Sequence, residues 1–306
     1  MLLSSNLRGA LFMSVSMAAF TLNDAITKAV SASMNMGQVM LVRGLFATLL
    51  VGLIVWHGRA LGTPRAALQP MVVLRVLGEV GATLCFLLAL AHLPIANVSA
   101  VLQALPLAVT MGAALVFKEP VGWRRWLAIS IGFLGVLIVV RPGFEGFSTY
   151  SLLALASVFF CAVRDLATTR IPTDVPTFLV SAATATAVMV MGAATVQPMG
   201  GWTPLTFKSA ALLATAALLL IIGYHFIIEA MRAGAISFIA PFRYTALLWS
   251  ILLGFVIFGD VPDTAMIAGA TIIIGSGVYA LYRERVAGKG MPATKSTGPA
   301  MIPDGM

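Results

Sequence analysis

Charged residues are scarce in this chain of 306 residues: Asp, Glu, Lys and Arg together make up 10% of it, and hydrophobic residues 60%. Soluble globular domains carry about 25% charged residues. The mean hydropathy is +1.00. Because so little polar surface is available, the composition excludes soluble, secreted, fibrous and disordered proteins and indicates a polytopic membrane protein.

Residues and motifs for catalysis or metal binding are also missing. The two cysteines, Cys85 and Cys161, lie inside apolar runs without a CxxC spacing or a paired His. We therefore expect packed thiols and neither a disulfide nor a metal site. The chain has no GxxxxGK[ST], HExxH or Gly-x-Ser-x-Gly motif, so we expect no enzyme and no catalytic residue. Its basic residues are scattered and do not form the stripe of a nucleic-acid binder.

Long apolar stretches dominate what is present. A helix needs about 20 apolar residues to cross the hydrocarbon core of a bilayer. The sequence contains ten such stretches, and the first lacks a signal-peptide cleavage site. The segment 288–306 is rich in Gly, Pro, Ser and Thr and is predicted to be a disordered cytoplasmic tail. The ten stretches cover residues 9–29, 38–56, 70–91, 95–117, 124–141, 148–169, 177–197, 208–230, 236–258 and 263–282.

The distribution of Lys and Arg predicts the orientation in the membrane. With the N-terminus inside, twelve of these residues fall on the cytoplasmic side, three on the opposite side and four within helices. We therefore predict a multi-pass protein of the bacterial inner membrane with both termini in the cytoplasm.

The chain also repeats itself at a constant offset of 141 residues, called the repeat offset below. Two five-helix repeats are therefore predicted, over 9–141 and 148–282. Because five is odd, the second repeat must enter the membrane from the opposite side, which is typical of secondary transporters. A duplicated scaffold without transport is the alternative. The repeat offset aligns Phe117 with Phe258, Glu119 with Asp260, and Asn23-Asp24 with Arg164-Asp165.

Residues 88–143 read LALAHLPIANVSAVLQALPLAVTMGAALVFKEPVGWRRWLAISIGFLGVLIVVRPG. They resemble the EamA module of the drug/metabolite transporter superfamily, with its Pro in the fourth helix, its acidic residue before the fifth, and its Gly-rich fifth helix. The segment 230–262 is similar, with Asp260 in place of Glu119. The resemblance implies an all-α fold of ten helices in two repeats around a central cavity, with no ATPase and no organic cofactor.

The segments GALFMSVSMAAFTLNDAITK, LVRG and FRYT are most similar to branches that import riboflavin or S-adenosylmethionine. The resemblance implies uptake of a small polar metabolite, with riboflavin the first expectation. Import of S-adenosylmethionine or another metabolite, and export of amino acids or drugs, are alternatives. An intramembrane enzyme and a structural or carrier subunit are alternatives outside transport, and the oligomeric state is left open.

Charged side chains within the predicted helices are the candidate functional residues, because each costs at least ~2.5–3.5 kcal/mol at mid-bilayer. Asp24 and Arg43 are level in the membrane, as are Asp165 and Arg243. We predict that these pairs neutralise buried charge and latch opposite gates, or act as static salt bridges. Cations nearer helix ends are expected to extend to the headgroups. These are Lys28, Arg75 and Arg170.

Glu79 falls near the centre of the third predicted helix, isolated, where it could carry a coupling proton or bond a polar substrate group; a neutral Glu bonded to a neighbouring helix is the alternative. His225 suits a proton relay or simple packing. Gln103 and Tyr244 occupy matching positions and suit a planar polar ligand. The complete set of predicted substrate-binding or gating residues is Asp24, Arg43, Glu79, Gln103, Arg164, Asp165, His225, Arg243 and Tyr244.

Overall fold

The computed structural model describes residues 5–58, 64–142, 147–172, 174–233 and 236–286. Within these ranges the chain is helical and contains no strand. Ten helices are long and apolar enough to cross a membrane. The predicted all-α fold of ten membrane helices is therefore confirmed. The predicted tail, residues 288–306, lies outside the described residues.

The ten helices begin and end close to the predicted limits. Pro70 opens the third helix, where its missing N–H costs nothing. Ser148 caps the sixth by accepting a hydrogen bond from the Tyr150 backbone N–H. The helices are α1 Ser5–Ser31, α2 Met36–Gly58, α3 Pro70–His92, α4 Ile95–Val116, α5 Trp123–Val140, α6 Thr149–Thr168, α7 Thr177–Val196, α8 Phe207–Ala233, α9 Ala240–Phe258 and α10 Thr264–Val286.

Two of these helices, α4 and α9, are irregular. The fourth consists of two segments, Ile95–Leu102 and Leu105–Val116, separated just before Pro106. The ninth starts as a 3-10 turn over Ala240–Tyr244, which contains Pro241, and becomes α-helical at Thr245. A proline cannot donate the backbone hydrogen bond that would continue the preceding turn. The irregular turns therefore fall at Gln103 and Tyr244, which the repeat offset aligns with each other.

Each long helix packs mainly on a helix of the other half of the chain. The principal pairs are α1 with α8, α3 with α6, α2 with α7 and α5 with α10. If the halves are exchanged, so that α1 becomes α6 and α8 becomes α3, the first pair turns into the second. The helices of the first half are therefore held together largely through those of the second.

Candidate functional site

A cavity of about 260 Å³ lies between the two halves. Its wall is formed by α1, α3, α4, α6, α8, α9 and α10. Binding pockets typically combine apolar walls with a few polar groups, and this one mixes aromatic and aliphatic side chains with ionised ones. The predicted site residues on its wall are Asp24, Glu79, Gln103, Arg164, Arg243 and Tyr244.

A close contact between α3 and α6 builds the charged side of the cavity. A Cβ at Gly78 would lie 2.9 Å from the backbone nitrogen of Arg164. Because the two backbones approach so closely, Glu79 Oε2 lies 3.1 Å from Arg164 Nη1. The same guanidinium donates from Nε to Asp165 Oδ1 at 2.8 Å. Asp165 itself is fully buried behind Arg164. One arginine therefore joins two carboxylates of different helices.

The expectation that Glu79 is isolated is wrong. Its carboxylate pairs with Arg164 and is also attracted by Arg75, one turn earlier on the same helix. The sequence suggested isolation because Glu79 and Arg164 are 85 residues apart. Packing of α3 on α6 brings them together. Glu79 belongs to an ion-pair network and is not a lone acid.

Of the three cations expected to extend to the headgroups, Arg75 is instead buried inside the protein. Arg75 is 3% exposed and donates from Nη1 to Thr184 Oγ1 of α7 at 2.5 Å, because α7 covers that face of α3. Lys28 donates from Nζ to the carbonyls of Leu90, at 3.0 Å, and Leu93. These are free carbonyls at the end of α3, which attract cations. The Arg170 side chain is exposed, and its guanidinium carbon lies 4.0 Å from the centre of the Phe117 ring.

The predicted Asp24–Arg43 pair contains a third residue. Asn23 donates from Nδ2 to Asp24 Oδ1 at 2.9 Å and accepts from Arg43 Nη1 at 3.5 Å. Asp24 and Arg43 attract each other across this amide. Asp24 and Asn23 line the cavity, whereas Arg43 stands behind them. Sequence reasoning missed Asn23 as a site residue, although the repeat offset had aligned it with Arg164.

The predicted Asp165–Arg243 pair is likewise built differently. Asp165 makes its hydrogen bond to the adjacent Arg164, and Arg243 acts on it by electrostatic attraction. Arg243 lines the cavity, but Asp165 does not. Whether either pair gates the cavity stays a prediction.

His225 does not reach the cavity. It is exposed on the outer face of α8, and the preceding residue, Tyr224, lines the cavity instead. Successive residues of a helix point about 100° apart, so a neighbour of a lining residue turns away. The Tyr224 ring packs edge-on against Phe20, with centroids 5.2 Å apart. A proton relay through His225, one of the two roles considered for it, therefore has no place in the cavity.

Tyr244 and Gln103, predicted as matching positions, both line the cavity. Tyr244 is 6% exposed, and its hydroxyl has no hydrogen-bond partner in the part of the chain that the structure describes. That hydroxyl lies against Gly277 of α10, where a Cβ would overlap it. Tyr244 therefore lines the cavity while its hydroxyl is buried against α10.

The family and the curated relatives that the chain matches are named transporters. Residues 7–141 match the EamA-like transporter family. The chain is 25% identical to the S-adenosylmethionine uptake transporter of Rickettsia prowazekii (strain Madrid E), over 92% of this chain and 95% of that one. It is 27% identical to the riboflavin transporter of Vibrio cholerae serotype O1, over 89% and 92%.

A third relative is named for export. The chain is 25% identical to the pseudopaline exporter CntI of Pseudomonas aeruginosa (strain UCBPP-PA14), over 83% of this chain and 89% of the relative. A solved crystal structure that is 19% identical covers 90% of this chain and 99% of its own, with a TM-score of 0.57. That structure shares the fold.

Proposed function

We propose that the chain is a multi-pass EamA-type transporter that takes up a small zwitterionic metabolite across the bacterial inner membrane, because residues 7–141 match that family and the relatives aligned above are named transporters. The observation that carries this proposal is the wall of the cavity. Side chains of both signs, Asp24 and Glu79 together with Arg164 and Arg243, line the same cavity.

Alternating access of two inverted repeats is the proposed mechanism, and the ends of α4 and α9 support it. Each helix is followed by a residue in the left-handed region, Lys118 after α4 with φ 54° and Gly259 after α9 with φ 70°. In both, the next backbone N–H donates back to a carbonyl six residues earlier: Glu119 to Ala113 at 3.3 Å and Asp260 to Gly254 at 3.0 Å. Related halves packed oppositely can exchange conformations at similar energy.

S-adenosylmethionine is the first candidate substrate. Its amino-acid head carries an ammonium and a carboxylate, which suit carboxylates and guanidiniums on one wall. Its adenine ring suits the aromatic side chains of Phe20, Phe86 and Tyr224, which also line the cavity. A relative named for S-adenosylmethionine uptake aligns over 92% of this chain.

Riboflavin is the second candidate, favoured by the same rings together with the Gln103 amide. It is a planar, uncharged solute that needs stacking and hydrogen bonds. It has no groups to match the four charged side chains on the wall, which is why we place it second.

Uptake by proteoliposomes tests the proposal. Purified protein should accumulate radiolabelled S-adenosylmethionine inside vesicles, and unlabelled riboflavin or amino acids should compete less well. Asp24→Asn should reduce uptake, whereas Asp174→Asn, which changes an exposed acid outside the helices, is the matched control and should not. Saturable uptake of labelled riboflavin alone would replace the first candidate with the second, and no movement of any solute would contradict transport.

The same vesicles test coupling and direction. Uptake with and without an inward proton gradient tests a coupling proton, and preloaded vesicles test export. Labelling of single cysteines introduced at the N-terminus, in intact cells and in inverted vesicles, tests the proposed cytoplasmic location of the terminus. An N-terminus that is labelled from outside intact cells would contradict that location.

A further inference from the structure

The ends of four membrane helices are joined in pairs by contacts between a cation and an aromatic ring. Lys28 Nζ, near the end of α1, lies 5.3 Å from the centre of the Phe258 ring at the end of α9. The Arg170 guanidinium carbon, just after α6, lies 4.0 Å from the centre of the Phe117 ring, just after α4. A cation near the face of an aromatic ring is attracted by it. Each contact therefore connects one half of the chain to the other.

The two contacts lie on opposite faces of the membrane. When each of the ten helices counts as one crossing, the chain has crossed once at Lys28 and nine times at Phe258, so both lie on one face. It has crossed six times at Arg170 and four times at Phe117, so both lie on the other face. The repeat offset aligns Phe117 with Phe258, and Lys28 with Thr169, the neighbour of Arg170. The second contact is therefore close to a repeat of the first.

Each ring follows the second segment of a helix that is interrupted beside the cavity. In α4 that segment is Leu105–Val116, and in α9 it covers residues 245–258. The interruptions fall at Gln103 and Tyr244, which both line the cavity. Helices bend where a proline interrupts the ladder of backbone hydrogen bonds. Each second segment therefore runs from a possible hinge at the cavity to one face of the membrane, and a cation contacts its far end.

The contact at Lys28 is the more firmly held of the two. Lys28 also donates to the carbonyls of Leu90 and Leu93 at the end of α3. Phe258 packs against an apolar cluster built mainly from α1, α2 and α3. The Arg170 side chain is exposed, and a contact between a cation and a ring weakens when water reaches the cation. The second segment of α9 is therefore fixed more strongly at its far end than that of α4.

We propose that Lys28–Phe258 and Arg170–Phe117 are two latches, which hold the second segments of α9 and α4 closed over the cavity on opposite faces of the membrane. The proposal rests on the proposed function, because it names the residues that control alternating access. The cation and the ring of each latch belong to different halves, so movement of one half against the other breaks it. With the N-terminus in the cytoplasm, the Lys28 latch closes the outer face and the Arg170 latch closes the cytoplasmic face.

Labelling of one cavity cysteine from each face tests this. The reporter is Thr83→Cys on the cavity wall, in a protein whose own two cysteines are replaced by alanine. MTSET, a thiol reagent that does not cross membranes, is applied to right-side-out and to inverted membrane vesicles. Lys28→Met should raise the labelling rate from the Lys28 face about tenfold, because an ionised donor loses its hydrogen bonds and its ring contact together. Arg170→Gln should raise the rate from the opposite face about twofold to threefold.

Arg124→Gln is the matched control. Arg124 makes the same kind of contact, at 5.3 Å, with Trp123 of its own helix and joins no halves, so both rates should stay unchanged. Lys28→Arg keeps a cation near Phe258 and should also leave both rates nearly unchanged. Where Lys28→Met does not fold, as judged by gel filtration, Phe258→Leu keeps an apolar side chain without the ring and should raise the rate from the Lys28 face about twofold to threefold.

Faster labelling from one face for the Lys28 variant and from the other face for the Arg170 variant supports the proposal. Any other distribution of the rates would overturn it, including an equal rise from both faces or an effect of Arg124→Gln as large as that of Arg170→Gln. The labelling does not depend on transport. A protein that shows the opposite effects but moves no solute would contradict the proposed function and leave the latches standing. A protein that transports solute while its labelling ignores both variants would do the reverse.

Discussion

The two halves of the protein share a backbone plan but differ in the chemistry that they bring to the cavity. Helix ends, helix breaks and packing partners recur at corresponding places in the two halves. At matching cavity positions, however, the first half has Asn23 where the second has Arg164, and Thr83 where the second has Tyr224. The two halves therefore share the scaffold that the proposed alternating access requires, and they differ in the side chains that the proposed solute contacts. Exchanging residues between matching positions is the most direct way to test this distinction.

Arg164→Asn, which copies Asn23, should have the largest effect. It removes the ion-pair partner of Glu79 and the hydrogen-bond donor of the fully buried Asp165. Breaking a buried ion pair from one side costs about 3–5 kcal/mol. Thermal unfolding in detergent should show a much lower midpoint, and uptake should be lost.

Asn23→Ala is the comparison on the other half and should destabilise less, because Asp24 and Arg43 still attract each other. Arg164→Asn leaves the carboxylates of Glu79 and Asp165 without their ion-pair partner. A triple variant that also carries Glu79→Gln and Asp165→Asn should therefore recover part of the lost stability. An unfolding midpoint for Arg164→Asn equal to that of the wild type would contradict the network.

Gly277→Val copies Val136, the matching residue of the first half, and should have the next largest effect. A Cβ at Gly277 would overlap the Tyr244 hydroxyl. In the first half the matching residues are Val136 and Gln103, and the glutamine side chain is shorter than that of tyrosine. Overpacking of this kind costs about 1–3 kcal/mol. Both the unfolding midpoint and uptake should fall.

Gly275→Val is the matched control, because nothing lies within 4 Å of a Cβ there. Combining Gly277→Val with Tyr244→Gln introduces the first-half residues at both positions. The double variant should restore the unfolding midpoint without restoring uptake. Equal behaviour of the two glycine variants would show that Tyr244 does not depend on this space.

The sequence predicted the features that the two halves share, and it missed those that depend on how the helices of the two halves pack. Helix number and the repeat offset follow from local apolar length and from duplicated sequence, which need no knowledge of packing. The Glu79–Arg164 contact depends on which helices of the two halves pair. The glycines beside Glu79, Gly78 and Gly81, are the sequence signal for that close approach. The choice between Tyr224 and His225 depends on how α8 is rotated, and a helix that is apolar nearly all round gives no periodic signal for that rotation.

Tyr224→Thr, which copies Thr83, should have a moderate effect. It removes the edge-on contact with Phe20, and such aromatic pairs contribute about 0.5–1.5 kcal/mol beyond the area they bury. Uptake should fall several-fold at every pH between about 5.5 and 8.5.

His225→Ala is the neighbouring control and should leave both the rate and its pH profile unchanged, because His225 is exposed on the outer face of the helix. A pH profile altered by His225→Ala but not by Tyr224→Thr would return the histidine to the mechanism and reverse the assignment of the inward face of α8.

Asp263→Gly copies Gly122 and should have the smallest effect. Asp263 accepts a hydrogen bond from the Met266 backbone N–H at 2.8 Å, capping α10, and it pairs with Arg141, whereas Gly122 gives α5 no side-chain cap. The hydrogen bond from the Met266 N–H, and to a smaller extent the Arg141 guanidinium, holds the pKa of Asp263 below its usual value of 3.8.

A lowered pKa in the folded state means that this contribution is present above about pH 4 and is lost as the pH falls through the folded-state pKa. Because the Asp263 side chain is 53% exposed, solvent screening keeps the contribution to about 0.5 kcal/mol. The variant should therefore unfold slightly earlier than the wild type at pH 7, and the difference should shrink as the pH falls below 3.8. Gly122→Asp should move the midpoint slightly upward at pH 7. A difference between Asp263→Gly and the wild type that persists unchanged at pH 3 would show that the carboxylate is not its source.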